Sequence, residues 1–159
     1  MKNNLIAFVL FLTFCSTAFA NVTLPNVFSD NMVLQRNSEV TIWGWANPQE
    51  EVVITPSWNN QTYTIKASNQ AKWEINIPTP KEGGPFSISI KGYNEIVLKN
   101  ILIGEVWICS GQSNMEWTQS NALDRDQAKL ESDPHIRMFT VTKKISNTKM
   151  SDVVGAWEP

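Results

Sequence analysis

The sequence predicts a β-sandwich domain followed by the beginning of an α/β domain. Up to about Asn100, short segments of alternating apolar and polar residues are separated by turn-forming residues, and no long helical pattern interrupts them. After Asn100 the alternation gives way to near-continuous apolar runs and one helical segment, which is typical of a parallel sheet. The length of 159 residues is enough for one domain or two small ones.

The segments between Asn21 and Asn100 have the length and composition of strands in a β-sandwich or small barrel. Alternation is most regular in the fifth segment, where Trp73, Ile75 and Ile77 share one face. A cluster of Pro and Gly residues at 78–85 predicts a break before the next strand. The predicted strands are Met32–Gln35, Glu39–Trp45, Val52–Ile54, Gln61–Lys66, Lys72–Ile77, Phe86–Ile90 and Glu95–Leu98.

Three tryptophans of this region, Trp43, Trp45 and Trp73, allow two interpretations. Exposed tryptophans form platforms that stack on sugar rings, whereas buried ones supply core area and need a partner for the indole N–H. Because Trp43 and Trp73 lie on strands whose alternation points them inward, we expect the core role.

The part after Asn100 predicts one βαβ unit. Ile101–Ile103 and Val106–Cys109 resemble a strand that is buried on both faces. Leu123–Ser132 is the helix candidate, and Ile136–Val141 alternates as the next, parallel strand. Lys143–Pro159 has the composition of a loop.

The first twenty residues have the three parts of a secretory signal: a basic start at Lys2, a short apolar run to Phe14, and small residues ending at Ala20. The apolar run is short for a membrane span, since the hydrocarbon core is about 30 Å thick. A buried N-terminal segment or an anchor is the alternative, and bulky Phe14 argues against lipid attachment at Cys15. We therefore expect cleavage after Ala20, a secreted or periplasmic protein, and no membrane association afterwards.

Composition excludes several kinds of partner. The net charge is −2 with acids and bases interspersed, so nothing suggests binding to nucleic acid or anionic lipid. Without Cys15 the only cysteine is Cys109, which lies in an apolar segment and is expected to be a buried small hydrophobe. One histidine and one cysteine cannot form a closed zinc site, and no Gly-rich phosphate loop is present, so we expect no metal ion and no cofactor.

The segment GEVWICSGQSNMEW at 104–117 contains the candidate nucleophile, Ser113. An apolar run breaks there into Ser110, Gly111, Gln112, Ser113 and Asn114, which would place a serine at the end of a buried strand, where α/β sheets bind ligands. Gly-x-Ser permits a sharp turn that leaves backbone N–H groups near the hydroxyl, and a helix starting there would favour an oxyanion. Small polar residues at a strand end are also common in ordinary turns.

The motif differs from the Gly-x-Ser-x-Gly elbow of α/β-hydrolases, because Met115 stands where that elbow has its second glycine. GEVWICSGQSNMEW instead resembles the first block of the sialate O-acetylesterase family, within the SGNH (GDSL-like) hydrolases. The upstream segments WGWANPQEEVVI, KWEINIPTPKEGGPFSISI and VLKNILIGEVW resemble that family's N-terminal β-domain and its entry into the catalytic domain. Downstream, PHIRMFTV resembles the strand after the first helix.

This resemblance implies a carbohydrate esterase that removes O-acetyl groups, with a domain order of signal peptide 1–20, β-sandwich 21–100 and the start of a flavodoxin-like SGNH domain at 101–159. It implies Ser113 as the nucleophile, supported by Gly111, Gln112 and Asn114 of the motif. The implied substrate is an O-acetylated sugar, either sialic acid or a plant or host glycan. It also implies a catalytic His from a C-terminal Asp-x-x-His and oxyanion donors from later blocks.

The sequence departs from the family at the catalytic base. Its only histidine, His135, follows Asp133 as Asp-x-His and lies in the segment that resembles the second strand. A base must come within about 2.6–3.2 Å of the serine hydroxyl, and a residue entering a parallel strand is expected at the end of the sheet opposite Ser113. We expect His135 to be an exposed loop residue and Asp133 a turn residue.

Two functions are therefore open. The chain is expected to be an N-terminal fragment of a serine acetylesterase, because a sheet of two or three strands leaves apolar edges uncovered. It is expected to be inactive by itself, because the C-terminal block with the catalytic His is missing. The alternative is a non-catalytic β-sandwich module that binds glycan or packs on a partner, with Ser113 as a relic. A fragment with neither activity is the third interpretation.

Overall fold

The computed structural model describes residues 21–118, 121, 123, 126 and 133–158. Within them, the structure is strand-rich and includes a 3₁₀ turn at Ser113–Glu116. No helix among these residues has the length and apolarity needed to cross a bilayer. The strands are β1 Val33–Gln35, β2 Glu39–Trp45, β3 Glu51–Pro56, β4 Tyr63–Lys66, β5 Lys72–Pro78, β6 Gly83–Lys91, β7 Glu95–Gly104, β8 Met138–Val141 and β9 Gly155–Glu158.

Strands β1 to β7 form one five-stranded sheet and one two-stranded ribbon. The sheet has the order β1-β7-β6-β3-β4, with β1 parallel to β7 and the other neighbours antiparallel. The ribbon pairs β2 with β5 in an unbroken antiparallel register from Glu39 opposite Pro78 to Trp45 opposite Lys72. The strand-rich part of the prediction is confirmed, whereas a sandwich of two comparable sheets is not, because the main sheet curls into a half-barrel.

All seven strands predicted before Asn100 are present. Their ends differ most at β7, which continues beyond the predicted Leu98 to Gly104, and at the Pro and Gly cluster, where β6 already begins at Gly83. Pairing with β7 shifts register between Gly83 and Phe86 and again before Ile88. Such irregularities admit Gly84 and Pro85 into a strand, since a bulge removes the need for a regular ladder of N–H donors.

The core lies between the ribbon and the five-stranded sheet. From the ribbon, Ile42, Trp73 and Ile77 are buried, as the alternation in β5 predicts. From the sheet come alternate residues of β3 and β6, together with Leu98, Ile101 and Ile103 of β7. The fully buried sheet residues are Val52, Ile54, Ile88, Ile90 and Ile101.

The tryptophans of the ribbon divide between its two faces, and the predicted core role holds fully for Trp73 and in part for Trp43, which packs against the core and lies 5.9 Å from the ring of Phe28. Trp73 is buried, at 3% exposure, but Trp43 and Trp45 are half-buried on the face of β2 opposite Ile42. Gly44 explains the division. A Cβ there would meet the carbonyl oxygen of Thr23 and lie 2.9 Å from the indole of Trp73. The bulky Trp73 ring thus fills the interior position beside Gly44, and its neighbours on β2 point outward.

A buried carboxylate joins two turns at one end of this core. Glu50 is 3% exposed and accepts hydrogen bonds from the backbone N–H of Asn47 at 2.8 Å, the Asn47 side-chain amide at 3.0 Å and the Tyr93 N–H at 2.7 Å. Gly92 allows the approach, because a Cβ there would overlap the Glu50 carboxylate. The charge is buried with its oxygens hydrogen-bonded, as burial of a carboxylate requires.

The region after Asn100 differs from the predicted βαβ unit. Ile101–Ile103 belong to β7 of the first sheet, and Val106–Cys109 form no strand. The predicted second strand is β8, and it pairs antiparallel with β9, which lies in the stretch predicted as loop. The helix prediction for Leu123–Ser132 falls almost wholly outside the described residues, as does the signal prediction for residues 1–20. The predicted SGNH-type start is therefore not confirmed.

The pair of strands β8 and β9 is fastened by polar contacts to residues 26–31 and to Asn100. Trp157 donates its indole N–H to the Val27 carbonyl at 2.8 Å, and its ring lies 5.4 Å from that of Phe139. Asn26 binds the Asp152 carboxylate through its backbone and side-chain N–H groups, at 3.0 and 3.1 Å. Arg137 donates to the carbonyl of Asn31 and to Asn100, and its partial burial lowers the pKa of its guanidinium.

Candidate functional site

Ser113 opens the 3₁₀ turn Ser113–Glu116. Gln112 precedes it in an extended conformation and accepts a 2.9 Å hydrogen bond from the Met115 N–H through its backbone carbonyl. The first N–H groups of such a turn have no partner within it, so those of Ser113 and Asn114 are not used inside the turn. The helix start expected after the serine is thus one short 3₁₀ turn, and its residues are exposed.

The absence of a side chain at Gly111 has a steric explanation. A Cβ there would overlap Cγ of Met115, which lies across the backbone of Gly111. The contact is through Cγ, so a side chain at position 111 would require Met115 to change its χ1 rotamer or the backbone to shift. The Gly-x-Ser spacing therefore permits the tight path of the chain from Gly111 to the 3₁₀ turn.

A polar cluster fixes the direction in which the chain leaves β7 towards Ser113. Glu105 accepts hydrogen bonds from Arg36 Nε at 2.6 Å and Gln35 Nε2 at 2.9 Å. Gln35 also accepts the backbone N–H of Val106 at 2.9 Å, and Arg36 binds Glu82 at 3.0 Å. Sequence analysis missed this cluster, because its members are about seventy residues apart and only the parallel pairing of β1 with β7 brings them together.

The cluster also shifts the acidity of its carboxyl groups. Hydrogen bonds from Gln35 and then from Arg36 hold the pKa of Glu105 below its ordinary 4.5. The pKa of Glu82 is lowered as well, first by its own backbone N–H and then by Arg36. Because the folded-state values are depressed, these contacts stabilise the fold above pH 4.5, and their contribution is lost as the pH falls through the folded-state values.

We expect Gln35→Leu to raise the titration midpoint of Glu105 and to leave that of Glu82 nearly unchanged, since Glu82 receives no hydrogen bond from Gln35. Arg36→Met should raise both midpoints, because Arg36 binds both carboxylates. Carboxyl-carbon NMR titration of the wild type and the two variants measures all of these values. Equal shifts of Glu82 and Glu105 in the Gln35 variant would show that the cluster is wrongly described.

The apolar segment between this cluster and the serine is exposed, which corrects the prediction of a buried strand. Trp107 and Ile108 are 84% and 93% exposed, and Cys109 is an exposed free thiol rather than a buried hydrophobe. An apolar run becomes a buried strand only when neighbouring strands pair with it, and within the described residues none pairs with 106–109. The apolar pattern does not specify that pairing.

His135 and Asp133 form a local pair. The His135 ring nitrogen Nδ1 lies 2.8 Å from the Asp133 carboxylate, which also accepts the His135 backbone N–H at 2.8 Å. These bonds, the backbone one first, lower the pKa of Asp133. The histidine side chain is 79% exposed, and no hydrogen bond joins it to Ser113, so its predicted place in an exposed turn is confirmed.

An ion pair between Glu116 and Lys143 joins the turn that carries Ser113 to the C-terminal part of the chain. Both side chains are largely exposed, and exposed pairs add little stability. Across residues 21–118 and 133–158 and the three single residues between them, no cluster of His, Cys, Asp or Glu has the arrangement of a metal site.

The chain has informative relatives, although no family model matches it. It is 30% identical over 139 residues to the sialate O-acetylesterase of Mus musculus, covering 79% of this chain and 26% of that protein. It is 28% identical over 131 residues to the sialate O-acetylesterase of Homo sapiens, covering 76% of this chain and 22% of the human protein. The chain thus spans about a quarter of the length of these curated relatives.

A solved structure agrees with these sequence relatives. The fold is similar to that of a carbohydrate acetylesterase from Xanthomonas citri, with a TM-score of 0.81 and 31% identity. The match covers 86% of this chain and 32% of the bacterial one. Over the part that they share, the chain is a homologue of proteins named sialate O-acetylesterase and of a bacterial carbohydrate acetylesterase.

Proposed function

We propose that the chain is the N-terminal part of a carbohydrate O-acetylesterase in which Ser113 is the nucleophile. The observation that supports this most is the placement of Ser113 at the start of a 3₁₀ turn, with its hydroxyl in an exposed segment just after Gly111. Homology to proteins named as acetylesterases supplies the reaction class.

The chemistry assigned to Ser113 is acyl transfer. Its Oγ attacks the acetyl carbonyl carbon, a base takes the hydroxyl proton, and the sugar oxygen leaves with a proton. Water then hydrolyses the acetyl-serine and releases acetate. The backbone N–H of Ser113 is one oxyanion donor, Gly111 permits the turn, and Gln112 and Asn114 hold its two ends through their backbone carbonyls, which accept the N–H groups of Met115 and Trp117.

We assign the base to a residue outside 1–159. His135 is the only histidine in the sequence, and its ring is engaged with Asp133 rather than with Ser113. The relatives are about four times as long as the shared part, so they have ample chain to supply a base. On this proposal, residues 1–159 alone do not hydrolyse esters.

The substrate we assign is an O-acetylated sugar, either an acetylated sialic acid or an acetylated plant or host glycan. The names of the relatives support the sugar and the acetyl group. We also propose export to the periplasm or the exterior, because residues 1–20 have the composition of a secretory signal.

The test is acetate release from O-acetylated sialic acid and from acetylated xylan. It compares residues 1–159 with the full-length protein that the natural gene encodes. We expect release by the full-length protein and none by residues 1–159. Ser113-independent release, or no release from either sugar, would contradict the proposal. Release by residues 1–159 that depends on His135 would place the base in this chain.

The Gly111→Ala variant should lower acetate release by the full-length protein by roughly 10²-fold, because the added methyl displaces Met115 and with it the serine. Gly104→Ala is the matched control, since a Cβ there meets only Val33 at the ordinary contact distance of 3.8 Å. Kinetics of both variants, with thermal melting as a check on folding, measure the effect. Equal activity of the two variants would exclude a steric role for Gly111.

A further inference from the structure

Two polar clusters lie at opposite ends of the parallel pair formed by β1 and β7. At the end where β7 finishes, Arg36 binds Glu105, the first residue of the exposed segment that leads to the candidate nucleophile. At the other end the register of the pair places Asn31 beside Asn100, and the Asn100 side-chain amide donates to the Asn31 side-chain oxygen at 2.6 Å. Arg137, the residue before β8, binds this second cluster. The chain between Glu105 and Arg137 is therefore held at both of its ends by the same two strands.

The guanidinium of Arg137 binds three acceptors at once. Its Nη1 donates to the backbone carbonyl of Asn31 at 2.9 Å and to that of Asn100, and its Nη2 donates to the Asn100 side-chain oxygen at 3.0 Å. Asn31 and Asn100 both have left-handed backbones, with φ of 68° and 56°, a conformation that Asn adopts more readily than most residues. A planar fork of N–H donors suits this arrangement, and a lysine ammonium does not reproduce it.

Arg137 makes these bonds at an electrostatic cost. The side chain is half-buried, its Nε is buried without an acceptor among the described residues, and no described carboxylate forms an ion pair with it. A cation that is partly removed from water and held only by neutral oxygens gains less than one that is paired with a carboxylate. Apolar side chains in such places are often as stabilising as charged ones. The arginine thus supplies fixed geometry at this position more than stability.

Strand β8 connects Arg137 to the turn that contains Ser113. It begins directly after Arg137 and has four residues, so it spans about 13 Å. Lys143 lies two residues beyond its end and forms an ion pair with Glu116, the last residue of the 3₁₀ turn that Ser113 begins. All four residues of β8 are paired with β9. Because a paired strand moves as a unit, a change at its anchored end displaces Lys143 and with it the turn.

We infer that Arg137 is a positioning residue for Ser113: it anchors β8 to Asn31 and Asn100, and the chain beyond β8 holds the serine's turn. This inference rests on the proposed function of Ser113 as the nucleophile. Displacement of a reacting group by about 1 Å lowers the rate by up to roughly 10²-fold. Loss of the anchor should therefore slow the chemical step and leave substrate binding nearly unchanged.

The experiment measures acetate release and hydrogen exchange in the full-length protein that the natural gene encodes. Arg137→Met should lower kcat by about tenfold and leave KM within about twofold, because the loss is confined to the transition state. The backbone N–H groups that close the 3₁₀ turn, those of Met115 and Trp117, should exchange several-fold faster. Mass spectrometry of the peptide that contains residues 112–118 measures this exchange.

Two further variants show whether Arg137 acts through the turn. Lys144→Met removes an exposed cation that forms no ion pair among the described residues, so it should change neither the kinetics nor the exchange. Glu116→Gln breaks the tie at its other end and should lower kcat by about threefold. The double variant of Glu116 and Arg137 should be no slower than Arg137→Met alone, because both changes act through one connection. Losses that multiply in the double variant would overturn the inference.

Unchanged exchange in folded Arg137→Met, or unchanged kcat when the wild type is active, would also overturn it. If Arg137→Met does not fold, Arg137→Lys takes its place. That variant keeps the charge, lacks the fork of donors and should give the same changes, and unchanged exchange in it would refute the inference. No acetate release by the wild type would contradict the proposed function instead. Exchange at the 3₁₀ turn would then still decide whether Arg137 positions it.

Discussion

Replacement of Ser113 by alanine is expected to lower acetate release by the full-length protein by roughly 10³-fold or more. Loss of a catalytic nucleophile has effects of this size, because no other group can form the acyl-enzyme. The residual rate should come from substrate binding and oxyanion donors alone. KM should change little, since the serine hydroxyl contributes mainly to the transition state.

Two further variants make this result specific. Ser110→Ala removes a hydroxyl three residues earlier in the same exposed segment and should retain activity within a few-fold. His135→Gln should also retain activity, because the ring of His135 is paired with Asp133 in an exposed turn. Loss of activity in His135→Gln with retained folding would identify His135 as the base, and retained activity in Ser113→Ala would refute the nucleophile assignment.

Replacement of Glu50 by alanine is expected to destabilise the fold by about 3–5 kcal/mol. The change leaves the N–H of Asn47, its side-chain amide and the N–H of Tyr93 without their carboxylate acceptor, in a site that is 3% exposed. Hydrogen bonds to charged groups contribute about 1.5–3 kcal/mol each, and their sum is reduced by local relaxation. Since domains are stable by about 5–15 kcal/mol, a large fall in Tm should follow.

Glu51→Ala is the matched control for this prediction. Glu51 is the next residue, is exposed at the start of β3 and lies opposite Lys66 on β4. Its loss should change the free energy of unfolding by less than about 1 kcal/mol, as is usual for an exposed side chain. Urea unfolding of the wild type and both variants measures the difference. Similar midpoints for the two variants would show that the buried carboxylate is not structural.

The strands before Asn100 were predictable because a two-residue period is a local property of the chain. In β5, Trp73 and Ile77 are buried as alternation predicts, and every predicted strand of this region is found. The candidate nucleophile was likewise identified from a short motif. The turn that begins at Ser113 is a local feature, which Gly111 and the small polar residues permit.

Pairing partners beyond the local pattern were not predictable. β9 has too few apolar residues to be recognised alone and exists because it pairs with β8. Val106–Cys109 has the apolarity of a strand but no described neighbour, so it is exposed. The polar cluster of Gln35, Arg36 and Glu105 depends on the parallel pairing of β1 with β7.

The sequence by itself determined the strand-rich class, the positions of the early strands and the motif around Ser113. Tertiary structure alone decided which face of the β2–β5 ribbon each tryptophan occupies. The ring of Trp73, on β5, takes the buried space that Gly44 of β2 leaves free. It also decided that the main sheet curls and that Glu105 directs the chain towards Ser113. Periodicity specifies which residues share a face, whereas the space and the partners on that face come from residues far away in the chain.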